Sequence, residues 1–428
     1  MNVEISKDEA QFMYDLVQQV VDQVGPRMSC SPQEAEGARI IKEELEKSCD
    51  EVMMEVFKCH PRAFLGWIKL ISFFTPASII LFLFLQVISI YIWMMFFSAI
   101  SFILIFLAVL TMWEEFFNYN EFIDFLFRKK TSQNVIGKFK SNSKLKRIII
   151  FSSHIDSALE FKLLKWLGWK AIPLLLGAIS IILIWFILSF LNFLMNVIGI
   201  VGFTSILYVP TLVILIISIP CFITVFFFVP LGDKGNVVPG AVDNLSSCSV
   251  IVGLSRFLKS NKEVIPDNTE IRLISFGCEE SGLRGSYRYT EAHLNELIKH
   301  DTLVVNMDGL ETPDGFLVID FEPTTRTKHS EEVVIKLLSA AESLNIKAKR
   351  FGSGKLEKSV GRLSGGSDAA AFSKAGIKAG FINSADWKNR SSYYHQSGDT
   401  LDKIEKGTLE NAFKICIAFI INESKPKE

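Results

Sequence analysis

The sequence predicts an α/β fold with a mixed, mostly parallel central sheet and helices on both faces, interrupted by two transmembrane helical hairpins. Three observations predict it. From residue 232 onward, segments of helical period alternate with short apolar runs of strand type, the order expected of a mostly parallel sheet. Two tracts, Leu70–Trp113 (44 residues) and Ala171–Gly232 (62 residues), contain no Lys, Arg, Asp, Glu or His. Both exceed the about 20 apolar residues that cross a hydrocarbon core. Finally, residues able to bind metal or move protons follow directly after the apolar runs, where open α/β sheets place their ligands.

Taken in order, residues 1–66 form the first part of the water-facing domain and read as helices. Phe12, Met13, Leu16, Val17, Val20 and Val21 recur at helical spacing. A second helix follows in SPQEAEGARIIKEELEK, with Ser31 as N-cap and Glu34 as its capping-box partner. The first residues lack the basic segment and apolar core of a cleavable signal peptide, so none is expected. Residues 67–113 form the first hairpin. The next stretch, 114–168, opens on WEEFFNYNEFIDFLFRKK, where phenylalanines alternate with charges, and an interfacial amphipathic helix is expected there. It continues in QNVIGKFK and RIIIF, two β-like runs around a polar turn. Residues 169–231 form the second hairpin. In 232–428, NLSSCSVIVGLSRFLK is helical in period, IRLISFGC a buried strand, YRYTEAHLNELIKH helical and TLVVNMDG a second buried strand. EEVVIKLLSAAESL is helical again, AGFIN is a short strand, and GTLENAFKICIAFIIN closes the domain as an amphipathic helix.

If the chain on either side of each tract belongs to one domain, each tract crosses the bilayer an even number of times. Two spans suit the shorter tract. Three would fit the longer one by length but would leave His154 and Asp243 on opposite faces, so two are expected there as well, four in all. The surplus around NFLMNVIGIVGF forms a tilted extension or a re-entrant turn. Lys and Arg flank the tracts on the domain side, Lys58, Arg62, Lys69, Arg128 and Lys170 among them, and the hairpin tips carry none. That asymmetry places the domain in the cytoplasm. The seven cysteines show no paired spacing and read as reduced thiols. With 45 basic against 46 acidic residues, no overall field points to nucleic acid, and the apolar tracts make the lipid bilayer an expected partner.

The residues after the strands are His154 and Asp156 after RIIIF, Glu279 and Glu280 after IRLISFG, and Asp308 after TLVVN. Asp243 sits at the start of a helix, and His395 lies in SSYYHQSGDT. Imidazole and carboxylate are the donors that zinc accepts, and a catalytic zinc keeps a position open. Two ions sharing one carboxylate need about five ligands, close to the number on offer. Adjacent carboxylates at the end of a buried strand cost desolvation energy unless something positive offsets it. Asp156 is placed to accept the second ring N–H of His154 and fix its tautomer.

HIDS, GAVDNLSS, FGCEESGLRGS, VNMDGLE, GGSDAAAFSKAGI and YYHQSGDTLDKI, in this order, resemble the motif series of the di-zinc aminopeptidase family. That family also holds bacterial leucyl aminopeptidases, glutaminyl cyclases, glutamate carboxypeptidases and the non-catalytic transferrin receptor. The resemblance spans almost all of the chain outside the apolar tracts and implies a zinc-peptidase fold with two Zn2+ ions. It implies His154 and Asp308 on one ion, Glu280 and His395 on the other, and Asp243 bridging both. It also implies Glu279 as general base, Asp156 as the partner of His154, and Tyr393 or Tyr394 as oxyanion support, Tyr394 being the residue next to the histidine. The implied activity is a membrane-embedded aminopeptidase; a glutaminyl-cyclase-like acyltransferase and a non-catalytic receptor or scaffold are the alternatives. Two departures stand out. Many relatives carry a histidine after Ser-Asp, where this chain has Ser367, Asp368 and Ala369, and relatives join the first histidine to the bridging aspartate by a short loop, whereas His154 and Asp243 here lie 89 residues apart.

Overall fold

A computed structural model describes residues 5–88, 90–230, 232, 236–355, 365–385 and 392–424. The expected seam at residue 231 lies outside the described residues. The chain divides into two units, the first built from residues 1–61, 128–160 and 234–428 and the second from 62–127 and 161–233.

The first unit holds an eight-stranded mixed sheet. Its strands are β1 (Glu51–Cys59), β2 (Lys130–Phe139), β3 (Arg147–His154), β4 (Thr269–Phe276), β5 (Asp301–Leu310), β6 (Phe316–Ile319), β9 (Ala348–Phe351) and β10 (Lys378–Ser384). Between β6 and β9, β7 (Phe321–Glu322) and β8 (Thr327–Lys328) form a separate antiparallel pair. The sheet order is β1-β2-β4-β3-β5-β10-β6-β9, and the four central strands β4, β3, β5 and β10 run parallel. The centre is buried on both sides, as the unbroken apolar runs require. Ile149, Phe151, Leu273 and Val305 face one layer with Met13, Val250, Leu337 and Phe419; Ile148, Ile150, Ile274 and Val304 face the other with Tyr289, Leu297 and Phe372. One side is covered by helices Lys7–Gln23, Pro32–Glu46, Ser246–Ser260, Glu331–Ser343 and Thr408–Ser424, the other by Arg284–Lys299 and Asp368–Lys374.

Three details differ from the sequence reading. The first 60 residues are not all helical, because EVMMEVFKC pairs with β2 along its full length as an edge strand. The runs on either side of the polar turn, β2 and β3, do not pair, since β4 lies between them. The Ser31 capping box forms only in half: the Ser31 hydroxyl accepts the Glu34 N–H, but the buried Glu34 carboxylate instead accepts the N–H groups of Cys30 and Cys278 and the Ser132 hydroxyl.

The second unit contains four helices long and apolar enough to cross a membrane, Phe64–Phe84, Tyr91–Phe117, Lys162–Val197 and Tyr208–Phe226. The surplus of the longer tract forms a short helix, Gly202–Ile206, between the last two. Several buried polar groups inside this unit are paired, which limits the cost of holding them in an apolar surround. Trp185 donates to the Ser78 hydroxyl at 2.8 Å, Ser78 to the Ser101 carbonyl at 2.6 Å, and Thr204 to the Asn192 side chain at 2.8 Å. The expected interfacial helix does not form: Tyr91–Met112 runs into a π turn at Trp113–Phe117, Tyr119 adopts φ 60°, and only Asp124–Leu126 is helical beyond it. Glu115 turns inward to accept the Ile123 N–H at 2.7 Å, which folds the segment back instead of extending it.

Candidate active site

Each residue singled out in the sequence sits where the sheet ends. His154 is the last residue of β3, Glu279 and Glu280 stand in the loop after β4, and Asp308 lies near the end of β5. The loop after β4 is tightly drawn: a Cβ at Gly277 would lie 2.4 Å from the Ser132 hydroxyl, and Cys278 and Leu283 both hold positive φ. Asp243 occupies an irregular turn ahead of the helix Ser246–Ser260. Its neighbour Asn244 fastens that turn to β5, donating to the Met307 carbonyl at 3.0 Å and accepting the Gly309 N–H. His395 lies in a turn at φ 51°, a strained backbone of the kind that collects at functional sites.

These side chains converge. His154 Nε2 is 3.2 Å from Asp243 Oδ1 and 3.6 Å from Asp308 Oδ1. On the other side His395 Nε2 is 3.3 Å from Asp243 Oδ2 and 3.5 Å from Glu280 Oε1. A tetrahedral zinc with bonds of about 2.0–2.1 Å holds its donor atoms about 3.3–3.4 Å apart. All four separations lie close to that spacing, and the two histidines approach different oxygens of Asp243. His154 Nε2 and Glu280 Oε1 are buried and make no hydrogen bond among the described residues. Orphaned atoms of this kind are expected where an ion is to be coordinated. Glu279 Oε2 stands 3.8 Å from His154 Nε2.

The electrostatics ask for positive charge. Burial raises the Glu279 and Glu280 carboxyls well above their ordinary range, and neighbouring carboxylates raise them further. Burial also pushes Asp399 up to about 7, helped by Asp243, and Asp368 up to about 7, helped by Asp156 and Asp308. For Asp243, burial acts upward but is overcome by His154 and His395, which hold it low. His154 goes the other way, since burial lowers it and the surrounding carboxylates outweigh that. So many buried carboxylates around two imidazoles are costly without a cation.

Asp156 does more than face His154. The nearest acceptor to His154 Nδ1 is the Asp156 main-chain carbonyl at 3.1 Å, with the Asp156 carboxylate at 3.5 Å. That carboxylate accepts the N–H groups of Glu279 and Glu280 at 3.0 and 3.1 Å and the Ser29 hydroxyl at 2.6 Å, so it orients the glutamate pair. Tyr394 packs its ring on His395 with centroids 4.0 Å apart, while Tyr393 is buried.

Two supporting residues escaped the sequence reading. Arg27 is fully buried and donates to the carbonyls of Gly25, Ile155, Pro239 and Gly240, tying the segment after β3 to the turn before Asp243. Asp399 accepts the Val242 N–H at 2.7 Å and the Asp243 N–H at 3.3 Å. It is quoted in the last motif, YYHQSGDT, but nothing in its spacing says where it points.

With this geometry established, comparison with known proteins is informative. Residues 228–420 match the model of peptidase family M28. The M28 segment carries Asp243, Glu279, Glu280, Asp308 and His395, while His154 lies ahead of it in sequence. Among curated relatives, aminopeptidase YwaD of Bacillus subtilis (strain 168) is 31% identical over 207 residues, covering 46% of this chain and 41% of that protein. The chain spans about 41% of the length of the curated relatives it matches. Among solved structures, the zinc aminopeptidase BSAP from Bacillus subtilis aligns over 98% of this chain and 95% of its own, with TM-score 0.53 and 16% identity. A glutaminyl cyclase from Fimbriiglobus ruber aligns over 98% and 97%, with TM-score 0.54 and 13% identity. At such identities these two likenesses concern the fold alone.

Proposed function

We propose that this chain is a membrane-embedded, zinc-dependent aminopeptidase that removes residues from the N-termini of peptides. The observation that carries it is the convergence on Asp243: His154 Nε2 lies 3.2 Å from one of its oxygens and His395 Nε2 3.3 Å from the other, with Asp308 3.6 Å from the first ring nitrogen and Glu280 3.5 Å from the second. The M28 match and the aminopeptidase name of the Bacillus relative support the reaction class. His154 and Asp308 would hold one zinc, Glu280 and His395 the other, and Asp243 both. When bound, the ions supply Lewis acidity, polarising the scissile carbonyl and acidifying a water. Glu279 takes the proton from the attacking water and returns it to the leaving amine. Asp156 keeps the glutamate pair in place through their backbone N–H groups, and Tyr394, whose ring packs on His395, would support the oxyanion.

Purified full-length protein in detergent, given short peptides, should release free N-terminal amino acids. A chelator should abolish release and added Zn2+ restore it. Release that survives exhaustive chelation would overturn the assignment. Ammonia without chain cleavage from a peptide beginning with glutamine would mark a cyclase in its place.

The four apolar helices are read as two hairpins that cross the bilayer and return the chain each time to the same side, with the M28 unit in the cytoplasm. In intact cells, a membrane-impermeant thiol reagent should then leave Cys49 unmodified until the cells are opened, and prompt labelling would reverse the orientation.

A further inference from the structure

Outside the active site, three cysteines far apart in sequence meet. Cys30 Sγ is 3.3 Å from Cys59 Sγ and 3.2 Å from Cys278 Sγ, and Cys59 Sγ is 3.3 Å from Cys278 Sγ. They come from the turn before the helix Pro32–Glu46, the end of edge strand β1, and the loop after β4, all within the first unit. Cys59 and Cys278 are buried and Cys30 nearly so. We propose that these three thiols form a second, separate metal site, a thiolate site for a single zinc ion.

Buried cysteines often act as small hydrophobes, so the triangle alone would not distinguish a site from core packing. Two further features do. Cys30 and Cys278 both hold left-handed backbone, at φ 59° and 56°, a conformation that non-glycine residues rarely adopt without a reason. Their backbone is also held in place: the two oxygens of buried Glu34 accept the Cys30 N–H at 2.8 Å and the Cys278 N–H at 2.9 Å. A carboxylate that fixes the residues bearing the donors is the usual outer support of a metal centre. Ordinary hydrophobic packing requires neither the strained backbone nor the buried carboxylate.

The spacing bears on the ion. With bonds of about 2.3 Å, a tetrahedral zinc spreads its sulfurs to about 3.8 Å, and a planar three-coordinate ion would need about 4.0 Å. The observed edges of 3.2–3.3 Å are shorter than either, so the three sulfurs would spread by about half an ångström to take a tetrahedral ion, leaving its fourth position for an oxygen donor. Soft thiolates favour zinc over the hard cations magnesium and calcium. Binding releases the thiol protons to solvent and forms three Zn–S bonds, with no change of oxidation state. The ion would tie the N-terminal turn, β1 and the loop that carries Glu279 into one rigid corner.

Cobalt substitution tests this independently of the proposed activity, because the active site offers only nitrogen and oxygen donors. Full-length protein, reduced, stripped of metal and loaded with Co2+, should develop the near-ultraviolet sulfur-to-cobalt charge-transfer band. Cys59→Ser and Cys30→Ser should each reduce that band severalfold, and Glu279→Gln should leave it unchanged. The wild-type measurement decides the matter even if a serine variant fails to fold. A missing band, with all three thiols still reacting freely with a thiol reagent in the presence of Co2+, would overturn the site. A disulfide between any two of the three in protein purified without reductant would overturn it equally.

Discussion

Glu279→Gln should lower kcat by about 10²- to 10⁴-fold, the contribution of a positioned general base, while zinc content stays at the wild-type level. The amide keeps the size of the side chain and the hydrogen bond from its main chain to Asp156, but it cannot take a proton. KM should change little, because the role proposed for Glu279 is on the attacking water, 3.8 Å from His154 Nε2, and not on the metal. Steady-state kinetics with metal analysis on the same preparation check this. Wild-type turnover in the variant would remove Glu279 from the reaction, and loss of zinc would make it a ligand.

Asp243→Asn should have the second large effect, on metal content more than on any single kinetic constant. Asp243 turns one oxygen to His154 and the other to His395, at 3.2 and 3.3 Å, the arrangement behind its proposed role as shared ligand. Asparagine keeps one oxygen and puts an N–H₂ donor where the other stood, which repels a cation. Zinc affinity should fall by more than about 100-fold, beyond the 10- to 100-fold typical of losing a supporting contact, and activity should fall with it. The measurement is zinc retained after dialysis against a competing chelator. Retention of both ions would show that Asp243 does not bridge.

Much of this was legible in the sequence because the strands announce themselves. RIIIF, IRLISF and TLVVN are continuous apolar runs, and the residues after them are placed by the sheet itself, so His154, Glu279, Glu280 and Asp308 could be read in line. What was not legible depends on where side chains turn after the chain has folded. Glu34 fits a capping box by spacing, yet the approach of the loop after β4 offers its carboxylate better donors in the main chain of Cys30 and Cys278. Arg27 follows a Gly-Pro turn and looks like an ordinary surface residue until four carbonyls from three segments surround it. The three cysteines lack close spacing because a site assembled by tertiary structure has none to show. The failed interfacial helix has the same cause: alternating phenylalanines and charges suit an amphipathic helix, but Glu115 finds a closer partner in the Ile123 N–H.

The position of β3 also constrains how the protein is made. It hydrogen-bonds only to β4 and β5, both encoded after the second apolar tract, and not to β2, which precedes it by a few residues. A ribosome that has just finished His154 therefore holds an apolar strand with both edges unpaired, and must translate more than a hundred further residues before the first neighbour emerges. Unpaired apolar edges invite association with other chains. Newly made chains need this strand shielded through that interval. No trimming from either end can separate the first unit from the apolar helices, because they interrupt its sequence twice, and a stand-alone version requires internal deletions that join residue 61 to 128 and 160 to 234.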